Sequence, residues 1–189
     1  MTLLENTIRV GEIRIGKAVT SERFIKYKNK LKIKYDPNFP SDLKRRHVSL
    51  VYFICVDGEV YKIGQSSNKC GIEGCLSFYL NAGTDDSGFN RYAINLLIRE
   101  KIESGSKVEI YMIYKDSIEV EIPTLKSTRK IFVPVSAKGM EEAILQEYND
   151  LFGEFPVWNY QERGTRLPDY IHESFAEYKT KRSMNENTN

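Results

Sequence analysis

Glu141 is the side chain whose position most strongly suggests chemistry. Across the segment from Lys138 to Phe152, the apolar residues Met140, Ala143, Ile144, Leu145, Tyr148, Leu151 and Phe152 define one side of a helix. At about 100° per residue Glu141 falls inside that stripe, while Glu142 falls nearly opposite its centre. A carboxylate that faces inward needs a partner. A divalent cation is one candidate, and the positive end of the helix itself is another. Cations are the second feature. Lys26, Lys28, Lys30, Lys32 and Lys34 alternate with Tyr27, Asn29, Leu31, Ile33 and Tyr35. On a strand the lysines share one face, spaced by about 6.6 Å, twice the rise per residue. That is close to the phosphate spacing along one nucleic-acid strand. Lys44, Arg45 and Arg46 add a second basic cluster before His47. The cysteines Cys55, Cys70 and Cys75 are too few for a disulfide framework. With only His47 and His172 as further ligands, free thiols are favoured over a closed zinc site.

The chain has 189 residues and a net charge of +2, unevenly placed. Through His47 there are 12 Lys and Arg against 5 Asp and Glu, or +7; from Val48 onward there are 16 against 21, or −5. A phosphate-contacting arm and a solvated basic surface both fit that asymmetry. No apolar run approaches the roughly 18 residues of a membrane span. Residues 1–10 carry Glu5 and lack a signal-peptide layout. The expected address is cytoplasmic, with no membrane partner.

Local patterns predict the elements that must position these groups. Ile8 to Ile15 alternates around Gly11, as a hairpin or two strand fragments. Ser21 and Glu22 predict a short helix through Tyr27, and the alternating lysines a strand from Lys26 to Lys34. Asp36 to Pro40 is turn chemistry. Val48 to Val56 reads as a buried strand, Asp57-Gly58 as a hairpin turn, and Val60 to Ile63 as the returning strand, ended by Gly64. Helices are expected from Glu73 to Leu80, Arg91 to Glu103 and Lys138 to Phe152, with strands at Val108 to Tyr114, Ile118 to Ile122 and Lys130 to Val135. Pro156 to Asn159 is a loop, and the polar last ten residues are expected to lack order.

The triplets Leu50-Val51-Tyr52 and Lys62-Ile63-Gly64, with Asp57-Gly58 between them, resemble the paired strands of the GIY-YIG nucleases. The match is to the branch in which Lys replaces the second Tyr, which includes restriction endonucleases and phage endonucleases. Gly105 to Tyr111 is similar to a strand of the phage branch, and Pro156-Val157-Trp158-Asn159 to its Pro-x-Trp-Asn. The resemblance spans roughly Val48 to Asn159. It implies an α+β fold, a small mixed or antiparallel sheet flanked by helices. It divides the chain into a basic extension over 1–47, a catalytic core over 48–165 and a tail over 166–189.

The resemblance also implies a chemistry. The chain would hydrolyse phosphodiester bonds of double-stranded DNA in a restriction-like way, with one Mg (or Mn) ion per site held by Glu141, and would act as a homo-oligomer. Tyr52 would activate water. Lys62, beside it across the hairpin, would favour the phenolate and touch phosphate. Gln65 and Tyr79 would orient water or phosphate, and Asn159 would reach the site from the last loop. Lys26, Lys28, Lys30, Lys32, Lys34, Lys44, Arg45 and Arg46 would contact DNA. One position departs from the pattern: Cys75 stands where the family has an arginine, four residues before Tyr79. Either Lys69 or Arg91 supplies that charge, or the protein binds DNA without cutting it.

Overall fold

A computed structural model describes residues 4–186 except 17–18, 22–23, 28–29 and 83–87. Its centre is a five-stranded antiparallel sheet in the order β4-β1-β7-β5-β6. These strands are β1 (Ile8–Ile15), β4 (Leu31–Tyr35), β5 (Ser49–Val56), β6 (Glu59–Ser66) and β7 (Val108–Lys115). Strand β5 is buried along its whole length, as its mostly apolar run of Leu, Val, Tyr, Phe, Ile and Cys suits a strand covered on both faces. Alternate residues supply the two cores. Leu50, Tyr52, Ile54 and Val56 face α1 (Gly71–Leu80), α2 (Phe89–Glu103) and Ile171 of α5 (Asp169–Glu186). Val51, Phe53 and Cys55 face α3 (Ala137–Phe152). The result is the expected α+β architecture, an antiparallel sheet flanked by helices.

The Asp57-Gly58 turn forms as the dipeptide predicts. Both residues take positive φ, 50° and 90°, which matches the right-handed twist of the β5–β6 pair. Strand β6 does not stop at Gly64 but runs on to Ser66. The register shifts once, between Ile54 opposite Lys62 and Cys55 opposite Val60, leaving Tyr61 as the extra residue of a bulge.

The N-terminal segment departs most from expectation. Ile8–Ile15 is one strand, with its irregularity against β7 at Arg9 and Gly11. It sits inside the sheet, where Arg9 bonds Glu109, so much of 1–47 completes the sheet. The helix expected through Tyr27 is instead β3 (Phe24–Tyr27), paired with β2 (Val19–Ser21). The lysine strand is divided. Lys26 falls on β3, Lys28 lies outside the described residues, Lys30 precedes β4, and Lys32 and Lys34 are exposed on β4. Local alternation could not show this break, because strand ends are set by pairing partners distant in sequence.

A separate hairpin, β8 (Ile118–Pro123) with β9 (Thr128–Val133), stands mostly exposed. Among residues 180–186, expected to lack order, the chain continues α5, whose Ile171 is fully buried against the sheet's core. No helix among the described residues is long and apolar enough to cross a membrane.

Candidate active site

A cleft of about 330 Å³ opens along the β6 edge of the sheet. Tyr52, Lys62, Gly64, Tyr79 and Glu141 line it together with Arg91 and Glu162. Three layers meet there: the sheet gives Tyr52 and Lys62, α1 and α2 give Tyr79 and Arg91, and α3 gives Glu141.

Tyr52 is 3% exposed, and its hydroxyl lies 2.6 Å from that of Tyr79. Their rings meet edge to face, with centroids 6.0 Å apart. Gly64, directly across the strand pair, makes this possible. A Cβ at position 64 would lie 2.2 Å from the Tyr52 hydroxyl oxygen. Gly64 is therefore the space that the phenol occupies. Gly64→Ala is expected to push the Tyr52 ring from Tyr79 and to cost about 1–3 kcal/mol, as overpacking does; a thermal melt checks the cost. Burial raises the pKa of both phenols above the ordinary value. Around the pair, Arg91 favours the phenolate of Tyr79, while Cys75 and Glu141 disfavour that of either phenol.

Lys62 does not stand opposite Tyr52. It pairs with Ile54, one step along on the same face, and so meets Tyr52 on the diagonal. Its charged neighbours are Glu162 and Glu141. Burial lowers its pKa and the two carboxylates partly restore it. Lys62 thus approaches Tyr52 from the diagonal position and shares the cleft with the two carboxylates.

Ser136 caps α3 by accepting a hydrogen bond from the Gly139 amide at 3.0 Å. Ala137, Met140, Ile144, Leu145 and Tyr148 then form the inward face, with Glu141 among them. The expected stripe was too wide, since Leu151 and Phe152 are 61% and 53% exposed. The Glu141 carboxyl has a raised pKa: burial lifts it most, Lys62 opposes, and Glu162 adds to the rise. Glu162, on the short helix α4 (Tyr160–Arg163), carries no sequence signal that marks it for this cleft.

Gln65 is exposed at the rim and pairs with Val51, so its side chain leaves the opposite face of the strand from Tyr52. Asn159 has a different task from the one expected. Buried to 1% exposure, it accepts from the Ile63 amide at 2.9 Å and donates to the Ile63 carbonyl at 3.0 Å. The Trp158 amide donates to the Tyr61 carbonyl at 2.7 Å. The loop thus fastens the edge strand on both sides of Lys62, and both functions of the Asn159 amide are engaged. Asn159→Ala leaves two buried backbone groups without partners. It is expected to destabilise the protein by roughly 1–3 kcal/mol, which denaturant titration would read.

Of the basic residues predicted for DNA, Lys30, Lys32, Lys34, Lys44, Arg45 and Arg46 are not among the residues that line the cleft. Lys32 and Lys34 sit on the far edge strand, four strand spacings or about 19 Å away. Lys44 stacks over the Tyr35 ring at 4.3 Å, Arg45 pairs with Glu73, and Arg46 pairs with Asp116 at 2.7 Å. These exposed pairs are weak enough to exchange for phosphate. Cys75 is buried, and burial raises its thiol to about 11. Cys70 is exposed at the start of α1, and all three thiols are free.

Solved structures similar to the chain include the following two. One is a mutant of bacteriophage T4 EndoII, at 20% identity and a TM-score of 0.48, covering 81% of this chain and 90% of that one. The other is the restriction endonuclease HPY188I in complex with product DNA, at 17% identity and a TM-score of 0.43, covering 82% of this chain and 80% of that one. No protein-family profile matches the chain, and no curated protein matches it.

Among the described residues, no group of three or more His, Cys, Asp or Glu side chains gathers as a metal cage. Glu141 and Glu162 offer oxygen donors in a cleft where Glu141 already resists ionisation. Such a set suits a hard ion that keeps its own waters, as Mg²⁺ does, and not a closed zinc site.

Proposed function

We propose that this protein is a metal-dependent endonuclease that hydrolyses phosphodiester bonds of double-stranded DNA. The observation that carries the reading is the Tyr52–Tyr79 hydroxyl pair, 2.6 Å apart and opening into a cleft shared with Lys62 and Glu141. The Tyr52 hydroxyl takes a proton from the attacking water while its own proton passes to Tyr79 in the phenolate form. Water oxygen bonds to phosphorus and the bond to the leaving oxygen breaks. That oxygen takes a proton from the Lys62 ammonium, whose lowered pKa eases the release. Glu141, with Glu162 beside it, would hold one Mg (or Mn) ion, which neutralises charge on the phosphate when bound. A homo-oligomer acting in a restriction-like way fits this reading, since one such site cuts one strand at a time.

Duplex DNA incubated with the protein in Mg²⁺, Mn²⁺ or EDTA tests it. Cleavage in metal and none in EDTA is expected. Salt-sensitive binding without cleavage in either metal would replace this reading with that of a DNA-binding protein, the reading that the buried, uncharged Cys75 favours.

A further inference from the structure

We infer that Arg91 is the catalytic cation that meets the negative charge developing on the phosphate, a role that rests on the nuclease reading. Hydrolysis of a phosphodiester concentrates charge on the non-bridging oxygens, and fixed cations aimed there lower the barrier. The cleft carries two cations, Lys62 and Arg91, against Glu141 and Glu162. Lys62 is half-buried on the strand and shares the cleft with both carboxylates. Arg91 is placed differently. It is exposed at the mouth of the cleft, and among the described residues no ion pair engages it.

Its position is nonetheless fixed. The guanidinium carbon lies 4.0 Å from the centroid of the Phe78 ring, so one face of the fork is stacked while its edge stays available. One turn further along α2, buried Asn95 donates to the Tyr79 carbonyl at 2.6 Å. That bond ties the Arg91 turn of α2 to the end of α1 that carries Tyr79. Arg91 is also the cation that favours the Tyr79 phenolate. A single guanidinium thus acts on the phosphate and on the base pair beside it. Cys75, on α1, cannot supply a cation, so the second helix provides it.

The test is single-turnover cleavage of duplex DNA by the full chain, with binding measured separately in EDTA. Arg91→Ala is expected to slow cleavage by roughly 100-fold or more, the usual loss for one transition-state donor, with affinity changed only a few-fold. Arg91→Lys keeps the charge, loses the fork and is expected to recover only part of the rate. Added guanidinium ion is expected to restore part of the Arg91→Ala rate and to leave the wild type unchanged, which a packing role would not produce. Wild-type cleavage with Arg91→Ala cleaving at the same rate overturns the assignment and leaves the nuclease reading standing. A wild type that binds duplex DNA and cuts it in neither metal overturns both.

Discussion

Tyr52→Phe is expected to reduce duplex cleavage by roughly 10²- to 10⁴-fold, the range for loss of a positioned proton acceptor. DNA affinity should stay within a few-fold. The ring is retained, so the packing against Gly64 and the core survives, and only the hydroxyl bonded to Tyr79 is lost. The stability cost should therefore be about 1 kcal/mol, that of one buried hydrogen bond. The pH profile gives a second readout. Burial raises both phenols above their ordinary value, so the ionised pair is a minor species at neutral pH. Its population grows tenfold per pH unit until the lower of the two pKa values is reached. Wild-type cleavage should climb with slope near one from neutral pH until the Lys62 ammonium, which protonates the leaving oxygen and whose pKa is lowered by burial, begins to lose its own proton; Tyr52→Phe should lose most of that slope. A wild-type rate that does not rise with pH at all would mean that another group takes the proton.

The parts of this site legible in the sequence were those set by local geometry. Asp57-Gly58 fixed the hairpin because only a few residue pairs accept two positive φ values in succession. Helical periodicity placed Glu141 inward because Met140, Ile144, Leu145 and Tyr148 surround it at spacings the helix dictates. What was hidden depends on contacts between distant segments. Strand β1 finds β7 about 100 residues away, and nothing near Ile8 announces that partner. Asn159 looked like a loop residue free to reach a metal, yet the edge of β6 offers it a complete backbone pair at Ile63. Lys62 was expected beside Tyr52 across the hairpin; the bulge at Tyr61, which local alternation does not show, sets it on the diagonal with the two carboxylates as its charged neighbours. The alternating lysines show the opposite failure. A clean local pattern is divided between β3 and β4, and Lys32 and Lys34 on β4 lie at the edge farthest from the cleft.

Glu141→Gln is expected to abolish cleavage in Mg²⁺ and Mn²⁺ and, without metal, to raise the melting temperature at neutral pH. The two effects share one cause. The folded protein holds the Glu141 carboxyl at a raised pKa, through burial first and Glu162 beside it, against the opposing pull of Lys62. The folded state thus binds this proton more tightly than the unfolded chain. The carboxyl adds stability below the unfolded carboxylate pKa, and that stability is lost as pH rises through the higher folded value. At neutral pH its charge is a liability that the neutral amide removes. A divalent ion reverses the balance by compensating the charge, so metal should raise the wild-type melting temperature in proportion to the logarithm of its concentration. Glu141→Gln should not respond. A variant that melts higher than wild type, ignores Mg²⁺ and does not cut would tie instability, metal affinity and catalysis to one carboxylate. A variant that cuts in Mg²⁺ would remove Glu141 from the reaction, whatever its melting temperature.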